Sequence, residues 1–180
     1  MSFEEEFLKD ITKRFQSYKS LGDKTFEQLD DKDFLYQPSA ESNSIAVIIQ
    51  HIYGNLMSRF TNFLTEDGEK PWRKRDEEFE QMNVSKQDLI SSWNTGWNSV
   101  FSTLNNLQPS DVMKKVSIRN EPMNAYDALL RALAHLSYHV GQIVYLGKEI
   151  KDSGWKSLSI PKGQSKQFNE QLTQQKESLK

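Results

Sequence analysis

His135 and His139 stand four residues apart in the apolar run 128–150, and the chain's third histidine, His51, lies in the other long apolar run, 45–64. A spacing of four sets two imidazoles one turn apart on a single helix face. A third imidazole from a neighbouring helix completes a set that can hold a metal ion and leave coordination positions open. Structural metal sites usually close with four protein ligands, so three point to a site that acts on something. The competing reading is ordinary. A histidine on an apolar helix is more often a hydrogen-bonded core residue than a ligand, and spacing alone decides for neither.

Neutral imidazole suits zinc, nickel, iron, cobalt and copper, whereas calcium and magnesium prefer oxygen. With no thiolate or carboxylate among its ligands the ion keeps its full charge, which lowers the pKa of a coordinated water or thiol. Each ligating ring needs an acceptor for its second N–H. Asn55, one turn beyond His51, and Gln142, just after His139, are polar groups of the right kind, although either serves equally well as an ordinary boundary residue. Ala128 and Ala132 leave room beside the histidine pair.

Other chemistries find little support. The chain has no cysteine, which excludes disulfides, thiolate ligands and a cysteine nucleophile. No glutamate stands three residues before any histidine, as a two-metal carboxylate bundle requires. With eight glycines there is no glycine-rich phosphate loop, and no Ser-His-Asp order stands out. The net charge is −2, and the basic cluster Lys70, Arg73, Lys74 and Arg75 is cancelled at once by Asp76, Glu77 and Glu78. Neither a nucleic-acid face nor an anionic-membrane patch is expected. The acidic stretch Met1 to Asp10 is not a signal peptide, and no run of eighteen apolar residues exists to span a membrane, so the expected address is the cytoplasm.

The elements that must position these residues are helical. Phe3, Phe7, Ile11, Phe15 and Tyr18 mark the first helix. A loop over 30–44 comes next, in which Ser42, Asn43 or Ser44 could each cap the second helix. Ile45, Ile48, Ile49, Ile52, Leu56, Phe60 and Phe63 mark that helix, which ends near Asp67-Gly68. The charged connector 66–82, broken by Pro71, reads as a solvated loop or as a lid that drops Trp72 on a pocket. Ser85 and Asp88 open a third helix carrying Leu89, Trp93, Trp97, Val100, Phe101 and Leu104, closed by Pro109. Asn124 with Asp127 opens a fourth, apolar almost all round and therefore central. Short extended pieces are expected near 112–119 and 155–160. The fold class is all-α, a four-helix bundle forming one domain over 1–160, with a polar tail over 161–180 that is either a docked short helix or disordered.

The segments Ser44–His51 and His135-Leu136-Ser137-Tyr138-His139-Val140-Gly141-Gln142-Ile143 resemble the DinB superfamily, which includes the YfiT-like proteins regarded as metal-dependent enzymes. The resemblance runs from about Phe3 to Ile150, and the segments 68–80 and 155–169 look like a narrower subfamily of unknown function. It implies an up-down-down-up four-helix bundle, often a homodimer, with a divalent metal, most often nickel or zinc, on His51, His135 and His139. It also implies a small-molecule substrate. The reaction would be transfer of a low-molecular-weight thiol to an electrophile, or hydrolysis by an activated water. No general base can be named from the residues. The alternative is a non-catalytic dimeric bundle whose metal is structural or adventitious.

Overall fold

The computed structural model describes residues 2–80 and 84–178. Four long helices carry the core: α1 (Phe3–Phe26), α2 (Ile45–Phe60), α3 (Lys86–Asn106) and α4 (Ala125–Lys151). A hairpin of β1 (Lys115–Ile118) and β2 (Glu121–Asn124) precedes α4, and a fifth helix, α5 (Ser165–Ser178), comes after it.

Local chemistry sets the helix starts. Ser2 accepts from the backbone N–H of Glu5 while the Glu5 carboxylate accepts from that of Ser2, and Ser85 with Asp88 repeats the reciprocal pair at α3. Of the three residues that could have capped α2, Ser44 does so, accepting from Val47 N–H at 3.3 Å. Asn124 starts α4 as expected, but its side chain makes no cap hydrogen bond because the residue also ends β2.

Side-chain contacts give the direction of each helix. Phe7 meets Tyr126 edge-on near the starts of α1 and α4, and Thr25 lies against Gly147 near their ends, so these two run parallel. Gly96 lies against Tyr53 and Leu56, while Thr103 donates to the Phe60 carbonyl, so α2 and α3 are parallel as well. Phe15 packs on Trp97 and Phe26 on Trp93, which makes α1 antiparallel to α3. The result is the expected up-down-down-up bundle. Its centre holds Phe15, Phe26, Phe60, Trp93 and Trp97, with Ile49, Ile52, Leu129, Leu136 and Ile143 around them. No described helix is long and apolar enough to cross a membrane.

Several expectations need correction. Helix α2 stops at Phe60, short of Asp67-Gly68, because Asn62 takes a left-handed conformation (φ 51°) and the chain turns. Phe63 and Leu64 then cover the apolar side of the hairpin, against a cluster of Val116, Ile118, Met123, Ala125 and Ala128. The extended piece near 112–119 is β1, but its partner β2 contains Pro122 and had no strand signature. Segment 155–160 pairs in no sheet, although Trp155 is extended (φ −68°, ψ 125°), and the Lys156 backbone is held by the Gln28 side chain. The polar tail is helical as α5, and every described side chain from 161 to 175 is exposed, so it is not docked along a face. Helix α4 is not apolar all round in use: Leu130, Tyr138 and Tyr145 face outward. The last residues of the 66–82 connector, Gln81 and Met82, lie outside the described residues.

The hairpin turn is a strained one. Arg119 and Asn120 both adopt positive φ (56° and 62°), the geometry of a two-residue type I′ turn, which bulky residues resist. Asp67 holds it. One carboxylate accepts from the backbone N–H of Arg119 and of Asn120, both at 2.8 Å, from Ser117 Oγ at 2.7 Å and from Glu69 N–H at 2.7 Å. Partial burial opposes the charge on Asp67, but these hydrogen bonds outweigh it and hold the carboxyl well below its ordinary range. A group whose folded pKa is depressed stabilises the fold above its unfolded pKa and loses that contribution as pH falls through the folded value. Asp67→Asn should therefore lower unfolding free energy by about 1–2 kcal/mol at neutral pH. The gap from wild type should narrow below about pH 4, as read from urea unfolding of both proteins across that range.

Candidate metal centre

The antiparallel crossing of α2 and α4 brings the three histidines together. Their ligand atoms lie within 4.8 Å of one another. Nε2 of His135 is 3.2 Å from Nε2 of His51 and 3.2 Å from Nε2 of His139. Nitrogens bound tetrahedrally to one ion at ordinary zinc–nitrogen lengths stand about 3.3 Å apart. His51 and His139 are buried and His135 is partly so.

The outer nitrogens fix the tautomers. His51 Nδ1 lies 2.9 Å from Glu78 Oε2, a carboxylate that only accepts, so Nδ1 carries the hydrogen and Nε2 offers a lone pair. His139 Nδ1 lies 2.8 Å from Gln142 Oε1, with the same consequence. Two lone pairs thus face His135 Nε2, while His135 Nδ1 is buried with no partner among the described residues. A neutral His135 cannot resolve this. A hydrogen on Nε2 serves one neighbour only, and a hydrogen on Nδ1 leaves three lone pairs facing one another. A cation at the convergence point satisfies all three nitrogens at once, so the donor set fits a metal ion.

Electrostatics disfavour protonation of His135 and His139. Burial, with His139, His51, Arg73 and Arg59 close by, pulls His135 down to about 3. Burial also lowers His139, against the opposing effect of its hydrogen bond to Gln142. Glu78 stays ionised because hydrogen bonds from Arg73 and His51 overcome its burial. Arg73 grips it with two hydrogen bonds, Nε to Oε1 at 2.8 Å and Nη2 to Oε2 at 2.9 Å, from a side chain only 2% exposed.

The described part of the 66–82 connector is solvated along much of its length, as a loop would be, but Arg73, Glu78 and Phe79 turn in on the site, and Trp72 forms no lid. Trp72 is exposed and lies away from the cavity. Phe79 tilts over His51 instead, with ring centroids 4.8 Å apart, and Arg75 sits over the Phe79 ring. Of the two expected polar neighbours, Gln142 orients His139, but Asn55 only lines the cavity and makes no hydrogen bond to a histidine among the described residues. Arg73, Glu78 and Phe79 carry no signal in the sequence, because adjacent opposite charges are the usual mark of a solvated loop. Gly54 is what lets them in: a Cβ there would collide with the Glu78 carboxylate.

The histidines line a cavity of about 440 Å³. Ala128 and Ala132 leave the space expected of them, and Phe60, Phe63, Val116 and Ile118 supply apolar wall.

Residues 2–164 match the model of a family described as "Protein of unknown function (DUF1572)". The chain belongs to the DUF1572 family. Among solved structures, this DUF1572 chain is similar to a DinB-like protein, YjoA, from Bacillus subtilis, with a TM-score of 0.54 and 16% identity over 83% of this chain and 96% of that one. The fold of this DUF1572 member is thus DinB-like. No curated protein matches it.

Gly54→Ala separates stability from site geometry. The substitution favours helix α2 by up to about 1 kcal/mol but drives Glu78 away from His51. Affinity for zinc or nickel should fall about 10- to 100-fold, measured by competition with a chromophoric chelator. Loss of affinity together with a comparable loss of thermal stability would instead indicate a damaged bundle.

Proposed function

We propose that the protein is a metal-dependent enzyme acting on a small molecule, with a divalent transition ion, nickel or zinc, on His51, His135 and His139. The observation that carries this reading is the convergence of three Nε2 atoms, two of them fixed as lone-pair donors, in the wall of a cavity. When bound, such an ion acts as a Lewis acid that lowers the pKa of a small thiol or a water. The protein's own groups do the rest. Glu78 and Gln142 hold the Nδ1 hydrogens of His51 and His139 and so aim both rings inward. Burial keeps His135 neutral and available. Phe79 covers the His51 ring, and Phe60 adds an apolar surface to the cavity. Among the described residues lining the cavity none is Asp or Glu, so no carboxylate of the cavity wall stands ready as a general base. A thiol transferase and a hydrolase both fit this arrangement.

Protein purified without a polyhistidine tag should hold about one equivalent of nickel or zinc, and His135→Ala or His51→Ala less than about a tenth. Metal at a hundred times its Kd should stabilise the wild type by about 2.7 kcal/mol and leave the variants unchanged. A screen of thiols against varied electrophiles, with His51→Ala as control, then reads the activity. Wild-type protein that holds no metal would remove the basis of the proposal. Metal held without exchange of any open position would favour a structural role.

A further inference from the structure

The charged residues lining the cavity are five arginines, Arg59, Arg73, Arg75, Arg119 and Arg131, with no lysine or acid beside them among the described residues. This is unexpected in a chain whose net charge is −2. Behind the wall, acids answer some of this charge. Glu69 takes Nη2 of Arg59 at 3.2 Å and Nε of Arg119 at 2.9 Å, Glu78 takes Arg73, and Glu121 takes Nη1 of Arg131 at 3.2 Å. Asp76, fully exposed, stands 3.7 Å from Arg75. Four acids thus face five guanidinium groups, and an ion on the histidines adds further positive charge.

Arg75 lies over the Phe79 ring, and the other four arginines divide into two sorts. Arg59 and Arg73 are occupied structurally: Arg59 donates to the Gly68 carbonyl and to Glu69, and Arg73 is locked on Glu78. Arg119 and Arg131 are about half exposed at the rim, and each makes its side-chain hydrogen bond through a single nitrogen, so each keeps N–H groups for a ligand. Arg119 is also held in place by the backbone, since its own N–H is fixed by Asp67 in the strained turn. Planar, preorganised guanidinium groups in a cavity of this size are suited to a carboxylate or phosphate.

We propose that the cavity selects a small anionic ligand, carboxylate- or phosphate-bearing, whose charged end is taken by Arg119 and Arg131 while its other end reaches the three-histidine centre. This deepens the metal-enzyme reading and rests on it for the second contact only. Anion recognition at the rim stands on the arginines themselves.

Cobalt(II)-loaded protein provides the test, because cobalt–thiolate absorption reports a thiol at the centre. Mercaptosuccinate, a thiol with two carboxylates, and 2-mercaptoethanol, a neutral thiol, are titrated into wild type and into Arg119→Gln/Arg131→Gln. Mercaptosuccinate should bind at least about tenfold tighter than mercaptoethanol to wild type at low salt, the preference falling as salt rises. The double variant should lose that preference and keep its affinity for mercaptoethanol. Equal affinities in wild type, or a preference that survives in the variant, would overturn the proposal. Failure of the metal reading shows separately, as protein that takes up no cobalt. Succinate binding by calorimetry then still tests the arginines, and binding that the double variant retains would overturn the anion site.

Discussion

Everything at the three-histidine cluster depends on two lone pairs being forced to point at a third ring. Imidazole can turn over or change tautomer, and in water nothing would stop it. Here the Nδ1–H of His51 is committed to Glu78 and that of His139 to Gln142, which leaves each Nε2 facing His135. The crossing of α2 and α4 sets the separation, and burial removes the water that would otherwise satisfy the nitrogens. The aromatic and aliphatic core fixes that crossing, so the arrangement is rigid without the histidines contributing to it. Among the described residues His135 Nδ1 has no partner, so hydrogen bonding does not satisfy all three rings.

Energy points the same way. An ion pair such as Arg73–Glu78, with side chains 2% and 10% exposed, loses hydration that its mutual attraction only partly restores. Well-packed apolar side chains in place of a buried ion pair often stabilise a fold as well or better. The pair is understandable as a clamp that holds a charged acceptor against His51, with Gly54 keeping the space open. Stability supplies no reason for a carboxylate to be buried there, whereas ring orientation does.

How much of this was legible in the sequence depended on periodicity. The four long helices, the i,i+4 histidine pair and its pairing with His51 all rest on apolar residues recurring every three or four positions, and Ser44 and Ser85 mark starts by side-chain chemistry alone. Gln142 was legible for the same reason, since it lies one turn from His139 on the same helix. Asn55 was not: it has the right spacing, but the connector reaches His51 first and brings Glu78 to its outer nitrogen. Arg73, Glu78 and Phe79 sit in a segment with no repeat, where position is set by contact with α2 and not by local preference. The β2 strand failed for a related reason, because Glu-Pro-Met-Asn pairs only where Asp67 has already fixed the turn before it.

Strain in that turn is placed with the same economy. Two non-glycine residues at positive φ cost free energy that a glycine would avoid, and four hydrogen bonds to Asp67 offset it. A relaxed loop could have closed the bundle as well. What the strained one does is hold the Arg119 backbone in one conformation at the rim of the cavity that Arg131 of α4 also lines. The strained turn and the buried ion pair are tied through Glu69, whose carboxylate meets Arg59, Arg73 and Arg119. Both depart from what folding alone favours, and both border the same cavity. Such local departures concentrate where a structure must hold particular groups still for a ligand.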